Sequence, residues 1–450
     1  MVHVKFEKVT LIFPNYINRE KFGDPSDPPL GIAYIAAVLR NEGYKVSIID
    51  ANAENLSDDN IIELLKQNDT KIVAISCNYS PLHNPTITLS ERIKTEFNIP
   101  IIVGGNHATA MAEKILSSSY AIDYIVLGEG ERTVLNLVKA LENNTPLNQI
   151  LGVAFREDGK VCRTPDAPLI EDLDQIPDPA YDLLPMKKYN RYNIITSRGC
   201  PFKCTYCASN IVFRRRVRYR SPIRVLDEIE FLIKKFGLKH FWFSDDTFTT
   251  NTNYTISLLD EMQKRSLKIT WSCLTRIDVV KREILEKMKK SGCSYISYGI
   301  ESGNQHLLDE IGKNITTKEI LEALNLTHDV GIPQYGFFIV GFPGETRNSI
   351  MDDFKLIMES KLDGAAFNIL IPLPGTKMMD QLVQKKLIDL DTIQWDFLFA
   401  RTPDEAHESY SANLASKWTD NLTGKDLVES CIVGHYLPKI KKYLDENSCD

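Results

Sequence analysis

The chain has 450 residues, 43% of them hydrophobic, nine cysteines and a formal net charge of −7. At about 150 residues per domain this length implies two or three domains with full cores. The acidic balance leaves no electrostatic footprint for nucleic acid over the chain as a whole; the longest apolar run, 30–39, is half of the ~20 residues a membrane span needs, and the start MVHVKFEKVT lacks a signal-peptide layout, so a cytoplasmic protein without a membrane span is expected.

Apolar runs bounded by turn residues read as buried strands at 9–13 (VTLIF), 45–50 (KVSIID), 71–76 (KIVAIS), 100–105 (PIIVGG) and 123–128 (DYIVLG). Helical periodicity at Leu30–Asn41 and 61–67 separates them, which builds parallel β-α-β units. The expected first domain, 1–163, is therefore an α/β, doubly wound parallel sheet of Rossmann-like type, with ligands at the carboxyl ends of its strands and a hairpin around EDGK (157–160). The proline-rich acidic stretch that follows, 164–188, has no clean period and reads as a linker packed over a surface.

A second alternating run begins at YNIITSR (192–198) and continues through HFWFSDD (240–246), KITWSCL (268–274), SYISYGIES (294–302), QYGFFIVGFPGE (334–345) and AAFNILIPLPG (365–375). Helical stretches at 225–236, 254–264, 282–290, 317–330 and 349–362 lie between them. Six such units make a partial (β/α)6 barrel of TIM type over 189–389, with its chemistry expected at the carboxyl ends of the strands. The remainder, 390–450, reads as a small, mostly helical region.

Most of the unusual residues cluster at those strand ends. SRGCPFKCTYCAS (197–209) places Cys200, Cys204 and Cys207 in the loop after the first barrel strand. An odd number of cysteines without a secretory signal argues for reduced thiols, and so for a metal or reactive role where they cluster. Core packing does not suit a loop with Gly199, Pro201 and Lys203, and a zinc site would want a second CxxC or a histidine pair. A [4Fe–4S] cluster takes four cysteines, so three leave one iron open.

This CxxxCxxC pattern, with Tyr206 before the last cysteine, resembles the signature of the radical S-adenosylmethionine enzymes. The resemblance implies that the open iron is chelated by S-adenosylmethionine and that an electron passed through the cluster yields a 5′-deoxyadenosyl radical, the protein supplying position and exclusion of water. It implies a low-potential electron donor such as ferredoxin or flavodoxin as a partner. Other strand-end motifs match the family's cofactor cradle: Ser244, Asp245 and Asp246 of SDDTF for the methionyl amino group, Arg276 of TRID for the carboxylate, and Glu301 and Ser302 of GIESG for ribose and carboxylate. VGFPGE (340–345) and PLPG (372–375) resemble later motifs in which glycine lets the backbone approach the nucleoside. Taken by residue type alone, SDDTF could instead cap the following helix, and Arg276 with Glu301 could form a salt bridge across the barrel mouth.

The first domain is similar to the cobalamin-binding domain fused ahead of many members of this family, on DPPLGIAYIAAVLRNEGYKVSIIDAN (27–52), GGNHAT (104–109) and YIVLGEGE (124–131). That likeness implies cobalamin contacts from Gly104, Gly105, Asn106, His107, Gly128, Glu129 and Gly130. The loop after the first strand, 14–31, lacks the histidine of DxHxxG that ligates cobalt from below in mutase-type domains. In this subfamily a residue after the third strand often covers that face; Asn78 and Tyr79 stand there, with Tyr79 the expected cover and His83 or His107 as alternative ligands. The arginine run 214–220 (RRRVRYR) is expected to pair with the acidic linker, or with carboxylates and phosphates near the site, rather than with nucleic acid.

The implied activity is methylation of an unactivated carbon in a small-molecule or peptide substrate, with Tyr298, Tyr335 and Asn368 as candidate substrate contacts at strand ends. Cyclisation or rearrangement without methyl transfer fits the same architecture, and a non-catalytic carrier of cobalamin or of an iron–sulfur cluster is the reading from another class. The RNA methylthiolating branch needs three more cysteines before the barrel, and only Cys77 and Cys162 lie there.

Overall fold

The computed structural model describes residues 7–15, 27–398 and 410–447. Part of the histidine-free loop, 16–26, and parts of the C-terminal region, 399–409 and 448–450, lie outside the described residues. Among the described residues no helix is long and apolar enough to cross a membrane. The chain divides into two compact units: Met1–Tyr192 with Ala208–Arg214 and Leu373–Thr376, and Asn193–Cys207 with Arg215–Pro372 and Lys377–Asp450.

In the first unit β1 (Lys8–Phe13), β2 (Lys45–Asp50), β3 (Ile72–Ser76), β4 (Ile101–Gly104) and β5 (Tyr124–Val126) form the parallel part of a sheet; β6 (Val153–Glu157) and β7 (Lys160–Arg163) extend it antiparallel. The order is β2-β1-β3-β4-β5-β6-β7. It reverses direction at β1, and a ligand crevice belongs outside the carboxyl ends at such a switch point. β3, IVAIS, is buried along its whole length because helices cover both faces of the sheet. Gly130 lets helix Gly130–Asn143 start close to helix Leu30–Asn41: a Cβ there would lie 2.9 Å from Ile35 Cδ1.

The stretch 164–188 is packed onto this unit. It runs through three short 3₁₀ turns and buries Ile170, Leu173, Tyr181 and Met186. The Ala180 amide donates to Ala33 O at 3.0 Å, and Arg40 pairs with Asp182 at 2.7 Å. Arg214 meets Asp166 of the same stretch at 3.3 Å.

The second unit holds β8 (Asn193–Ile194), a short antiparallel pair β9 (Ser197–Arg198) and β10 (Arg218–Tyr219), and then β11 (His240–Phe243), β12 (Thr270–Arg276), β13 (Cys293–Glu301), β14 (Gln334–Val340) and β15 (Gly364–Ile369). Six of these form one parallel sheet, β15-β14-β13-β12-β11-β8, whose neighbours follow chain order as a partial barrel requires. Side chains alternate across it. One parity (Phe241, Phe243, Trp271, Ile296, Tyr298, Phe338, Phe367) is buried, packed towards the helices; the other (Trp242, Leu274, Phe337, Ile339, Asn368) is half-buried on the inner face. Helix Gly424–Asn447 covers β15, and Gly434 makes the approach possible: a Cβ there would sit 2.3 Å from the Phe367 ring. Arg220 and Glu228 form an ion pair buried under the barrel's first helix.

Candidate functional site

The cysteine loop leaves the sheet at Gly199, whose φ of +96° is open to glycine at no steric cost. Hydrogen bonds pin the loop: Thr205 N donates to Ile311 O at 2.9 Å, and Met378 N to Thr205 O at 3.0 Å. Cys200, Cys204 and Cys207 are free thiols, the first two half-buried and the third exposed. Cys200 Sγ lies 3.6 Å from Thr247 Oγ1, and Arg276 Nη1 donates to Cys204 Sγ at 3.5 Å. Burial pushes the Cys200 thiol up, and Asp246 beside it adds to the effect. No three ligating side chains among the described residues converge on a single ion. Thiols on the corners of an iron–sulfur cube stand further apart than ligands of one ion, and a cationic guanidinium at one of them suits thiolates.

The other strand ends gather around this loop. The Tyr206 ring meets Phe342 edge-on at 5.7 Å, and burial together with the adjacent Glu301 carboxylate raises its phenol far above the usual range. Glu301 sits past a bulge in β13 at φ +74°, and Lys313 Nζ donates to it at 2.8 Å. Gly299 makes room for that pair, since a Cβ there would lie 2.7 Å from Glu301 Oε1 and 3.1 Å from Lys313 Nζ.

Several expected cofactor contacts prove to be internal ties. Arg276 grips Asp278 through Nε (2.9 Å) and Nη2 (3.0 Å), donates to Lys313 O at 2.6 Å, and stacks on Phe202 with its guanidinium 3.8 Å from the ring centre. A guanidinium so engaged fastens the cysteine loop. Asp245 is buried and accepts from Thr196 Oγ1 (2.7 Å) and Ser197 Oγ (2.5 Å), which ties β11 to β9; its neighbours Ser244 and Asp246 are half-exposed. Burial raises the Asp245 carboxyl to about 6 against the pull of those hydrogen bonds. The helix after SDDTF is capped by Asn251, so capping is not the motif's role. Ser302 is fully buried and donates to Asp353 Oδ1 at 2.8 Å.

Two expected substrate contacts are corrected as well. Tyr298 is fully buried with its hydroxyl 2.8 Å from Thr327 Oγ1, on helix Thr317–Val330, so it faces the outer layer. Tyr335 is the second residue of β14, at the amino end of the sheet and away from the mouth, where its ring lies over Gly364 and against Tyr295 at 5.6 Å. Asn368 keeps inner-face parity near the carboxyl end of β15. Gly375 of PLPG belongs to the first unit, where a Cβ would meet Ile211 Cδ1 at 3.0 Å and Ala110 Cβ at 3.2 Å; close packing explains that glycine without a nucleoside.

At the carboxyl ends in the first unit, Gly105 holds φ +115°, and a Cβ there would lie 2.4 Å from Asn78 Oδ1 and 2.8 Å from Cys77 O. The Asn106 amide donates to Asn78 Oδ1 at 3.2 Å. Gly104 is half-buried beside this turn. Gly128, at φ +77°, donates through its amide to Thr109 Oγ1 at 3.1 Å, and a Cβ there would meet nothing within 4 Å; Gly31 is equally open. Tyr79 is 53% exposed. The exposed Tyr79 ring after β3 and the glycine turns after β4 and β5 lie along the carboxyl edge of the sheet, a cradle that suits a flat ligand such as cobalamin. His107 is no part of it: its Nδ1 lies 3.2 Å from Ser80 Oγ and its Nε2 2.9 Å from Nδ1 of His83, both rings buried. Burial drives the His83 imidazolium down to about 4 and that of His107 to about 3. Glu129 is likewise turned inward, its carboxylate accepting from Ile170 N at 2.9 Å.

Sequence reasoning passed over Thr247 and Asp278, although both stand in quoted motifs, and over Lys313, whose loop IGKN carries no strand-end signal.

A model of the Radical SAM superfamily matches residues 194–357, and a model of the B12 binding domain matches 26–138. An uncharacterized methyltransferase of Pyrococcus horikoshii is 35% identical over 398 residues, 87% of this chain and 86% of the relative. The anaerobic magnesium-protoporphyrin IX monomethyl ester cyclase of Rubrivivax gelatinosus is 33% identical over 392 residues, 84% of this chain and 70% of the cyclase. The solved structure of the radical S-adenosylmethionine methyltransferase TsrM from Kitasatospora setae, with cobalamin and a [4Fe–4S] cluster bound, shares the fold at TM-score 0.71 and 18% identity, over 84% of this chain and 75% of TsrM. The chain belongs to the cobalamin-dependent radical S-adenosylmethionine enzymes, and its cofactors are a [4Fe–4S] cluster, S-adenosylmethionine and cobalamin.

Proposed function

We propose that this enzyme methylates an unactivated carbon of a small-molecule or peptide substrate, drawing electrons from a low-potential donor such as ferredoxin or flavodoxin. When bound, the cofactors supply a carbon-centred radical by hydrogen abstraction and a methyl group to quench it. The observation that carries the reading is the inward pairing of His83 with His107, with Tyr79 exposed after β3. Tyr79, Asn78 and the glycine turns would hold cobalamin here, and when bound it would supply the methyl group.

Cys200, Cys204 and Cys207 hold the cluster in this reading, and Arg276 steadies Cys204. The Lys313–Glu301 pair stands beside Tyr206 and holds the wall of the methionyl pocket. Tyr206 and Phe342 wall the same pocket and keep water from it. Asn78, Gly104, Gly105, Asn106 and Gly128 line the cobalamin cradle with backbone and short side chains.

The relative named as a cyclase favours a second reading, ring formation without methyl transfer. One experiment separates the two. Anaerobically reconstituted protein is reduced and given S-adenosylmethionine with and without bound cobalamin, and S-adenosylhomocysteine is measured. Methyl transfer requires S-adenosylhomocysteine formed only when cobalamin is bound; 5′-deoxyadenosine as the sole product supports the cyclase reading instead.

A further inference from the structure

Two carboxylates in the second unit lie buried without a cation. Asp353, on helix Arg347–Glu359, is fully buried; its Oδ1 accepts from Ser302 Oγ at 2.8 Å and from Gly303 N at 2.5 Å, while its Oδ2 is buried with no hydrogen-bond partner. Glu345, just before that helix, is also fully buried; its Oε2 accepts from Gly341 N, and its Oε1 is buried with no partner. Among the described residues neither carboxyl forms an ion pair. The cations of that helix and of the neighbouring loop face elsewhere: Arg347 meets Asp426 at 2.7 Å, Lys355 meets Glu359 at 3.9 Å and Lys313 meets Glu301 at 2.8 Å. Asp352 beside Asp353 accepts from Asn304 Nδ2, and Cys431 of helix Gly424–Asn447 lies near Glu345, whose carbonyl takes the Asp420 amide.

The placement of the pair gives it a task. Asp353 fastens the turn 302–303 that follows Glu301, and Glu345 fastens the turn 341–342 that carries Phe342. Glu301 and Phe342 are the two neighbours of Tyr206 in the cysteine loop. Each turn therefore rests on its own buried carboxylate, and Gly303 sits so close to the helix that a Cβ there would lie 2.5 Å from Asp352 O.

Two like charges in a dry interior cannot both be carried without a counter-ion. We propose that Glu345 and Asp353 act as positioning residues for the S-adenosylmethionine pocket, keeping the turns 301–303 and 341–345 in place only while at least one of the two carboxyls is protonated. Burial supports this, with the charge of Asp352 adding at Asp353 and that of Asp353 adding at Glu345, and raises Asp353 to about 7 and Glu345 well above the carboxylate range. A raised carboxyl favours the folded state below its folded pKa, and the support is lost as pH rises through it. The inference rests on the cofactor set and not on methyl transfer, so absence of S-adenosylhomocysteine in the experiment above would leave it standing.

The test is the affinity of cluster-loaded protein for S-adenosylmethionine by calorimetry between pH 6.5 and 9.5, about three pH units, in the wild type, Asp353→Asn and Glu345→Gln. The wild type should lose affinity about tenfold towards the alkaline end, and either amide, by removing one charge for good, should flatten that dependence to less than about threefold. The thermal midpoint of the chain without cofactors should follow the same pattern. A wild-type affinity constant with pH, or amide variants that keep the wild-type profile, overturns the proposal. Failure of both variants to fold overturns it too, because an amide has the shape of a neutral acid.

Discussion

Lys313 reaches back 12 residues to Glu301, and their ion pair of 2.8 Å leaves the two side chains only 4% and 10% exposed. A buried pair adds little net stability over apolar residues of the same shape, but removing one partner strands the other charge. Lys313→Met should therefore cost about 3–5 kcal/mol. Adding Glu301→Gln to that variant should recover most of the loss. Thermal melts of the two single variants and the double variant check this, and a single variant that melts with the wild type would show the pair to be idle.

Arg276 joins Cys204 to Asp278, Phe202 and Lys313 through one planar fork. Arg276→Lys keeps the charge and loses the fork, since an ammonium cannot grip a carboxylate bidentately while stacking on a ring. Supporting residues of this kind are worth about 10–100-fold in metal affinity. Iron and sulfide bound per chain after anaerobic reconstitution should fall accordingly, with the folded yield little changed.

The His83–His107 contact predicts an acid-labile first unit. Both imidazoles are pushed below their ordinary 6.5, to about 4 and about 3. A depressed folded pKa means that the neutral form stabilises the fold above pH 6.5, and that this contribution is lost as pH falls through the folded values. For His83 alone the shift amounts to about 3 kcal/mol. Circular dichroism on lowering the pH should show loss of structure within that window, shifted to lower pH in His107→Gln.

The substitution Tyr298→Phe tests a residue that sequence reasoning placed in contact with substrate. The structure gives its hydroxyl to Thr327, so the variant should lose about 1 kcal/mol of stability and leave cofactor turnover unchanged. A large fall in turnover without a fall in stability would restore the substrate contact.

Much of the fold was legible because buried parallel strands leave long apolar runs. IVAIS and HFWF can be placed without knowing their partners. What failed was parity and position within a strand. In β13 the alternation alone does not say which parity faces the helices; that Tyr298 does follows only from its contact with Thr327, 29 residues away. Tyr335 was misplaced because β14 starts one residue before it, at the end of the sheet opposite the mouth. At the site, the cysteine spacing is local and was readable. The partners of Asp245, Arg276 and Asp353 lie 48, 72 and 51 residues away, and contacts over such separations exist only after the chain has folded. Lys313 was missed for the same reason: its importance comes from the carboxylate it meets, not from its neighbours in sequence.

The central claim is that Cys200, Cys204 and Cys207 leave one iron of the cluster open for S-adenosylmethionine. Mössbauer spectra of protein reconstituted with isotopically enriched iron, with and without S-adenosylmethionine, address it directly. One iron of the cluster should shift to the parameters of a higher-coordinate site on addition of S-adenosylmethionine, the other three staying as they were. A cluster whose four irons are unchanged by S-adenosylmethionine would contradict the account.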